Sequence, residues 1–473
     1  MNLSITSVLL CSVASLALSA TTLAGPNATL PDKLPPYGED KPLPVPAIAK
    51  TTLGNGMQVW VVERDGMPRV DYVLAIKDAG LAVDDANLPS FASQMAGLLT
   101  EGTTKRDSRA IAEAAQGMGG SVGAGADMDG VTVYANALTS KAAQMMTLLA
   151  EVTRHPSFPA HEVTLAQANA LQGLKAAEAQ PGFRAERAIA QAIYGDHPYA
   201  RTQPTEAGIA ALTPKLLADE HARRFRPEHA LLVVTGRISN AEAVKLAKAA
   251  FGDWQGSGDS PADTLPSRRS AATTHQLLSR AGSVQSAIRI GQPAVPATDP
   301  DYIALSMART VLGGGFSSRL MQNLREEKGY TYGARASQRS YGGGGGLVSS
   351  ADVRNEVTGA SLREFMDEFS RLGNEPVPAD ELTLNKRYVA GGYLISNQMQ
   401  ANVATSLADN WLVGRPSEFL GEYVPLIQQV TPEQIMAMGK KYFAPAKQSI
   451  VVVGDPKEVL EQLKPYGEFN VIE

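Results

Sequence analysis

Apolar, β-branched and aromatic residues gather in short runs along the chain, and these runs predict its first strands and helices. Met57–Glu63 and Val70–Ile76 have the composition of strands and are separated by a glycine-containing turn. A strand pair is predicted between residues 123 and 138, turning at Asp129-Gly130. Helices are predicted in four stretches, which are Ser108–Met118, Lys141–Arg154, Ala160–Glu178 and Phe183–Tyr194. The mixture indicates an α+β protein.

The two halves of the chain repeat each other. Thr213-Pro214 opens a predicted helix that leads into an apolar strand ending at Gly236, and Thr431-Pro432 opens another that leads into a strand ending at Gly454. The offset is constant, since 431 − 213 and 454 − 236 both equal 218. Both helices have Thr at the predicted N-cap and Pro at the first helical position. This shared register indicates a duplicated domain.

A chain of 473 residues is too long for one hydrophobic core. We therefore predict an α+β protein of two homologous domains, each a mostly antiparallel sheet packed with helices. The domains are expected at residues 48–255 and 271–473, and the breaker-rich segment 256–270 is expected to link them.

The N-terminal segment has the pattern of an export signal. Residues 1–24 contain no charged side chain, and Val8–Leu18 is an apolar stretch too short to span a bilayer. We predict a signal peptide at 1–24, followed by a Pro-rich arm at 25–47. The only cysteine, Cys11, lies inside this signal, so the mature chain is expected to have no disulfide. The predicted location is the bacterial periplasm, with no membrane association once the signal is removed.

Charge and motifs exclude several functional classes. The net charge of −5 argues against nucleic acid, which requires a basic face. The glycine-rich stretches lack the G-K-[ST] ending of a phosphate-binding loop, and no G-x-S-x-G elbow of a serine hydrolase is present. The six histidines show no ligand spacing for a metal.

The most specific segment is Leu312–Ala336, which reads LGGGFSSRLMQNLREEKGYTYGARA. Gly313–Gly315 should end one helix and permit a tight turn. Phe316–Glu326 is a predicted helix with Leu320 and Leu324 on one face, and a strand should follow it.

This segment resembles the C-terminal domain of the pitrilysin/insulinase family of zinc peptidases. The pattern G-G-x-x-S-S-R-L-x-x-x-L-R-E-x-x-G-x-x-Y recurs in that family, and the duplicated halves are similar as well. The resemblance implies two domains that enclose a peptide chamber with a partner subunit. It covers nearly the whole chain beyond the Pro-rich arm.

Active members of that family carry an inverted zinc motif, H-x-x-E-H, just before a G-T pair, and a third ligand from a later helix. Counting back from the G-T pair of this chain, the His, Glu and His positions fall on Ser93, Ala96 and Gly97. The later helix has Gln172 and Gly173 where glutamates are expected. We therefore predict that this chain binds no metal or other cofactor and that zinc is held by a partner.

The resemblance implies that Arg325 and Tyr332 face the zinc site across the chamber as catalytic and substrate-binding residues. A tyrosine hydroxyl can donate to the oxyanion of the scissile carbonyl, and a guanidinium can hold a substrate carbonyl. An alternative is that Arg325 pairs with Glu326, Glu327 or another acid and that Tyr332 packs in a strand. Gly313, Gly314 and Gly315 are predicted to line the chamber as substrate-binding residues.

Two functions remain open from the sequence. One is a subunit of an exported metallopeptidase, active on short unstructured peptides only when paired with a homologous zinc-bearing subunit. The other is an inactive structural or peptide-binding protein on the same fold. A second glycine run, Gly342–Gly346, is expected to form a floppy hairpin tip.

Overall fold

Two six-stranded sheets form the framework of the protein, one from each half of the chain. The computed structural model describes residues 45–261, 266–267 and 272–473. The strands of the first sheet are β1 (Ala49–Thr52), β2 (Gln58–Glu63), β3 (Arg69–Lys77), β4 (Ser121–Ala126), β5 (Gly130–Leu138) and β6 (Ala230–Gly236). Those of the second are β7 (His275–Ser279), β8 (Gln285–Ala294), β9 (Thr331–Ser340), β10 (Gly345–Arg354), β11 (Ser449–Gly454) and β12 (Asn470–Ile472).

Helices cover both sheets and are joined to the strands by loops and short 3₁₀ turns. Those of the first half are α1 (Phe91–Leu98), α2 (Ser108–Gly117), α3 (Ala142–Arg154), α4 (Ala160–Glu178), α5 (Pro181–Tyr194), α6 (Glu206–Ala210), α7 (Pro214–Arg224) and α8 (Asn240–Phe251). Those of the second half are α9 (Tyr302–Gly313), α10 (Thr358–Asn374), α11 (Ala379–Ser396), α12 (Gln400–Leu412), α13 (Phe419–Gln429), α14 (Pro432–Tyr442) and α15 (Pro456–Leu463). A π-helical segment spans Met321–Glu327. No helix within the described residues is long and apolar enough to cross a membrane.

The sheets have matching strand orders, which confirms the predicted α+β fold with two homologous domains. The first runs β1-β2-β6-β3-β5-β4 and the second β12-β7-β11-β8-β10-β9. Both are mixed, with antiparallel pairs in the majority. The edge strand beside β2 is β1 and is antiparallel to it, whereas the edge strand beside β7 is β12, the last strand of the chain, and is parallel to it. Strands β4 and β9 form the opposite edges.

One helix from each half packs on the sheet of the other half. Helix α5 packs on β8 and β11 of the second sheet, where Ile189 and Ile193 are buried in one apolar cluster with Val451. Helix α12 packs on β3 and β6 of the first sheet, burying Val403 and Leu407. The two helices occupy corresponding places in the repeat, since 412 − 194 equals 218. Each fully buried aliphatic side chain contributes about 1.5–3 kcal/mol, so the exchange ties the halves together.

The exchanged helices explain why the central strands are apolar on both faces. Strand β3 is buried from Val70 to Ile76, because one face meets the core of its own half and the other meets α12. A continuous apolar run is typical of a strand covered on both sides.

The helix-entry signals of the repeat are confirmed. Thr213 caps α7 by accepting a hydrogen bond from the Leu216 N–H at 3.1 Å. Thr431 caps α14 in a reciprocal capping box with Gln434. The predicted signal peptide, Cys11 and most of the Pro-rich arm lie outside the described residues. The described parts of the predicted linker, 256–261 and 266–267, contain no helix or strand.

Candidate functional site

Helices α1 and α4 lie against each other and carry the positions of the zinc motif. Ser93 and Gly97 are one helical turn apart on the exposed side of α1, and Ala96 is fully buried. Gln172 and Gly173 are exposed on α4. The two helices that the family uses for a metal site are therefore present and adjacent.

The side chains at these positions do not fit a zinc ion. Alanine and glycine have no donor atom, and the hydroxyl of Ser93 and the amide of Gln172 are poor zinc ligands. A Cβ atom added at Gly97 or Gly173 would meet nothing within 4 Å, so each position has room for a longer side chain. Within residues 45–261, 266–267 and 272–473, no group of three or more His, Cys, Asp or Glu side chains could hold a metal ion.

A buried ion pair holds the N-terminus of α1 in place. The Arg224 Nη1 atom lies 2.7 Å from Asp84 Oδ1, and both side chains are almost fully buried. Asp84 also accepts a hydrogen bond from the Ala92 N–H at 3.1 Å, which satisfies a free donor at the helix start. Burial raises the pKa of Asp84 to about 6, and the charge of Arg224 opposes this rise. The ion pair and the hydrogen bond fix the start of the helix that carries Ser93, Ala96 and Gly97.

The Gly313–Gly315 turn is a site of close packing in the second half. A Cβ atom at Gly313 would lie 2.3 Å from the Ala336 backbone nitrogen, so a side chain there would clash with β9. A Cβ atom at Gly315 would lie 3.4 Å from the Tyr388 hydroxyl. The glycines allow α9 to end against β9 and α11, and their predicted role in binding substrate stays a prediction.

The helix after this turn differs in part from the prediction. It begins at Arg319 rather than Phe316, and Met321–Glu327 has π-helical hydrogen bonding. Leu320 and Leu324 are fully buried, as expected from their spacing. Single π-helical turns are frequent at functional sites, where they change the direction of a side chain. Arg325 lies in this segment.

Arg325 and Tyr332 both reach the surface on adjoining elements. The Arg325 side chain is 35% exposed, and its Nε atom is 3.5 Å from Glu326 Oε1. Its guanidinium lies 5.1 Å from the ring centre of Phe316, which is itself 74% exposed. Tyr332, near the start of β9, is 93% exposed, so the alternative that it packs in the strand is wrong. The contact with Glu326 is an exposed ion pair of the kind that contributes little stability.

The prediction of a floppy hairpin tip at Gly342–Gly346 is wrong, because hydrogen bonds hold this tip against the first half. The Gly342 N–H donates to Asp129 Oδ2 at 2.9 Å, and the Gly343 N–H donates to the Tyr199 hydroxyl at 2.9 Å. Tyr199 donates in turn to Asp129 Oδ1 at 3.0 Å and packs on Tyr341 with 4.6 Å between ring centres. Burial raises the pKa of Asp129. We call these contacts the tip anchor.

A cavity of about 690 Å³ opens beside the tip anchor, where the C-terminal ends of β4 and β9 meet the C-terminal part of α12. Its walls carry the carboxylates of Asp127 and Asp409 and the guanidinium of Arg339. Desolvation by the cavity walls and the charge of Asp127 raise the pKa of Asp409 to about 6, although the side chain as a whole is exposed. The cavity is a polar space between the two halves.

Two exposed aromatic residues lie beside the Gly313–Gly315 turn and are not identified by the sequence pattern. The pattern predicts Phe316 inside a helix, and it does not single out Tyr388, which is 59% exposed on α11. An aromatic residue directly after three glycines could have indicated an exposed turn for Phe316. No signal in the sequence distinguishes Tyr388 from a core tyrosine.

Two repeated α+β domains, with a pair of adjacent helices at the positions expected for the zinc motif, are the arrangement that the resemblance to a metallopeptidase family implies. Family models agree with this class. Residues 62–204 match the model described as insulinase (peptidase family M16), and residues 211–389 match the model described as the peptidase M16 inactive domain. The chain belongs to the M16 peptidase family.

Individual relatives extend the similarity over most of the chain. A protein named an uncharacterized zinc protease from Mycobacterium leprae is 24% identical over 83% of this chain and 88% of its own length. The crystal structure of a peptidase M16 inactive domain from Pseudomonas fluorescens superimposes with a TM-score of 0.80 and 26% identity, covering 86% of this chain and 98% of that one. A protease from Helicobacter pylori shares the fold, with a TM-score of 0.81 and 17% identity over 86% of this chain and 99% of its own.

Proposed function

We propose that this chain is the non-zinc-binding subunit of an exported zinc-dependent peptidase. A homologous partner supplies the zinc, and this chain supplies Arg325 and Tyr332 to bind short unstructured peptides. The N-terminal segment directs the chain to the periplasm. The expectation of a zinc-bearing partner rests on the family and on the missing ligands of α1 and α4.

One observation carries the proposal, which is the 93% exposure of Tyr332. An exposed tyrosine contributes little to the stability of its own strand, since its ring buries almost no surface. Its hydroxyl is available to a group outside the chain, and it stands on the edge strand of the sheet. A peptide added to a sheet edge is held by main-chain hydrogen bonds, so the expected sequence preference is loose.

The chemistry assigned to the pair is electrostatic. The Tyr332 hydroxyl donates to the oxyanion that forms when water attacks the scissile carbonyl. The Arg325 guanidinium holds a neighbouring backbone carbonyl of the peptide. Removing one such donor costs roughly 10²–10³ in kcat at comparable sites.

The test is peptidase activity on a quenched, unstructured peptide, with this chain alone, with the zinc-bearing homologue of the same genome alone, and with both. We expect only the mixture to cut. Tyr332→Phe and Arg325→Ala should lower the rate of the mixture without preventing association, measured by size-exclusion chromatography. Arg371→Ala is the matched control, because Arg371 is also a half-exposed arginine beside a nearby acid, at 3.3 Å from Glu375.

The opposite result supports the alternative of an inactive structural or peptide-binding protein. In that case the zinc-bearing homologue is fully active alone, and neither substitution changes its rate in the mixture.

A further inference from the structure

Arg309 of α9 is a partly buried charged side chain. Its Nε atom is excluded from solvent and has no hydrogen-bond acceptor among the described residues. In the part of the chain that the structure describes, its guanidinium makes no ion pair and no contact with a ring face. Burial lowers the pKa of Arg309. A partly buried charge that is not compensated is costly, so such a residue calls for an explanation other than stability.

Among the described residues, tyrosines rather than carboxylates interact with Arg309. Tyr302 lies two helical turns before Arg309 on the same face of α9, and Tyr388 and Tyr423 also affect its charge. The Tyr423 hydroxyl is engaged by Ser306. Those of Tyr302 and Tyr388 have no hydrogen-bond partner among the described residues. One cation and two free hydroxyl donors therefore meet at one place.

A second arginine increases the positive field. The Arg415 guanidinium lies 3.9 Å from the ring centre of Tyr302, and its Nη2 atom is buried and has no hydrogen-bond partner in the described part of the chain. Arg415 also makes no ion pair among the described residues, and its Nε atom donates to the Ala297 carbonyl at 2.8 Å. Two arginines without carboxylates favour an anion over any neutral or cationic ligand.

Arg309 is only partly buried, and Tyr388 beside it is exposed. This tyrosine is 59% exposed, and its hydroxyl lies over Gly315 at the end of α9. In the repeat, α9 and α11 are the counterparts of α1 and α4, the helices that carry the zinc positions in the first half. Arg309 therefore lies on the second-half counterpart of α1.

We propose that Arg309, with the hydroxyls of Tyr302 and Tyr388, binds the C-terminal carboxylate of a peptide. A guanidinium presents paired N–H donors that match the two oxygens of a carboxylate, and each phenol can add one hydrogen bond. That the carboxylate belongs to a peptide rests on the proposed function, whereas the anion site itself requires only this chain.

The experiment measures binding by the full chain without any zinc-bearing partner. The probe is a fluorescein-labelled decapeptide of Ala, Ser and Leu, prepared with a free C-terminal carboxylate, with a C-terminal amide, and as the amide with one internal Glu. Fluorescence anisotropy gives Kd for the wild type, for Arg309→Gln and for the charge-matched control Arg237→Gln. Arg237 is exposed in the first half and makes no side-chain hydrogen bond or ion pair among the described residues. Inorganic phosphate serves as a competitor.

We expect the free-carboxylate peptide to bind about tenfold or more tightly than the amide, as typical of a charge-assisted hydrogen-bonded pair. The difference should disappear in Arg309→Gln and persist in Arg237→Gln. Equal binding of acid and amide by the wild type overturns the proposal and needs no variant that might misfold. Equal binding of the acid and the internal-Glu amide overturns the assignment to a C-terminus. If inorganic phosphate competes for binding but the acid and the amide peptides bind equally, the assignment of the anion to a peptide is wrong.

Failure here is separable from failure of the proposed function. If the mixture with the zinc-bearing homologue is inactive but the acid–amide difference depends on Arg309, the carboxylate site stands and the peptidase proposal falls. If the mixture is active and acid and amide bind alike, the reverse holds.

Discussion

The hydroxyl of Tyr199 makes two hydrogen bonds in the tip anchor, and removing it tests whether these contacts hold the halves together. It donates to Asp129 Oδ1 at 3.0 Å and accepts the Gly343 N–H at 2.9 Å. Tyr199 is fully buried, so water cannot replace either bond easily. A hydrogen bond to a charged group contributes about 1.5–3 kcal/mol and a neutral one about 0.5–1.5 kcal/mol. We therefore expect Tyr199→Phe to lower the free energy of unfolding by roughly 2–4 kcal/mol.

The matched control is Tyr194→Phe. Tyr194 packs edge-on against Tyr199 with 5.8 Å between ring centres, but its hydroxyl makes no hydrogen bond within the described part of the chain. Losing that hydroxyl should change stability by less than about 0.5 kcal/mol, as for substitutions that break no specific contact.

Urea denaturation gives the free energies, and hydrogen exchange of the peptide containing Gly342 and Gly343 gives a local readout. Tyr199→Phe should speed exchange at these amides before it affects the core of either sheet. The reasoning is refuted if Tyr199→Phe and Tyr194→Phe lose the same stability and the glycine amides exchange as in the wild type.

Three further results are expected from buried groups. The pKa of His221 is lowered to about 4 by burial, below the ordinary 6.5, so folding favours the neutral ring. This preference for the neutral ring contributes fully to the free energy of unfolding above pH 6.5, and the contribution is lost as the pH falls towards 4. It amounts to at most about 3 kcal/mol and should be missing from the pH dependence of urea unfolding in His221→Phe. Ile189→Ala should cost about 2–5 kcal/mol, because α5 is buried against the second sheet, and thermal unfolding of that sheet should shift most. Gly313→Ala should destabilise by about 1–3 kcal/mol, since its Cβ would clash with the Ala336 backbone, whereas Gly173→Ala, which meets open space, should be neutral or stabilising.

Local signals in the chain predict most of the helices and strands and the duplication. Thr213 and Thr431 cap their helices as expected, and Ala160–Glu178 is a helix over the predicted range. These features depend on contacts within a few residues, where capping and apolar spacing act directly. The prediction that Ser93 and Gly97 stand at the zinc-ligand positions is equally local, because it depends only on their distance along the chain from the G-T pair.

Only the tertiary structure decided which distant surfaces meet. Periodicity shows that α5 has an apolar face, but not that this face covers the sheet of the other half. The glycine run at Gly342–Gly346 suggested a free tip, yet Asp129 and Tyr199 from the first half hold it. Arg309 is one of many arginines in the sequence, and only the tertiary structure shows that it makes no ion pair among the described residues. Such properties arise from long-range packing and burial, which the order of residues specifies only through the complete fold.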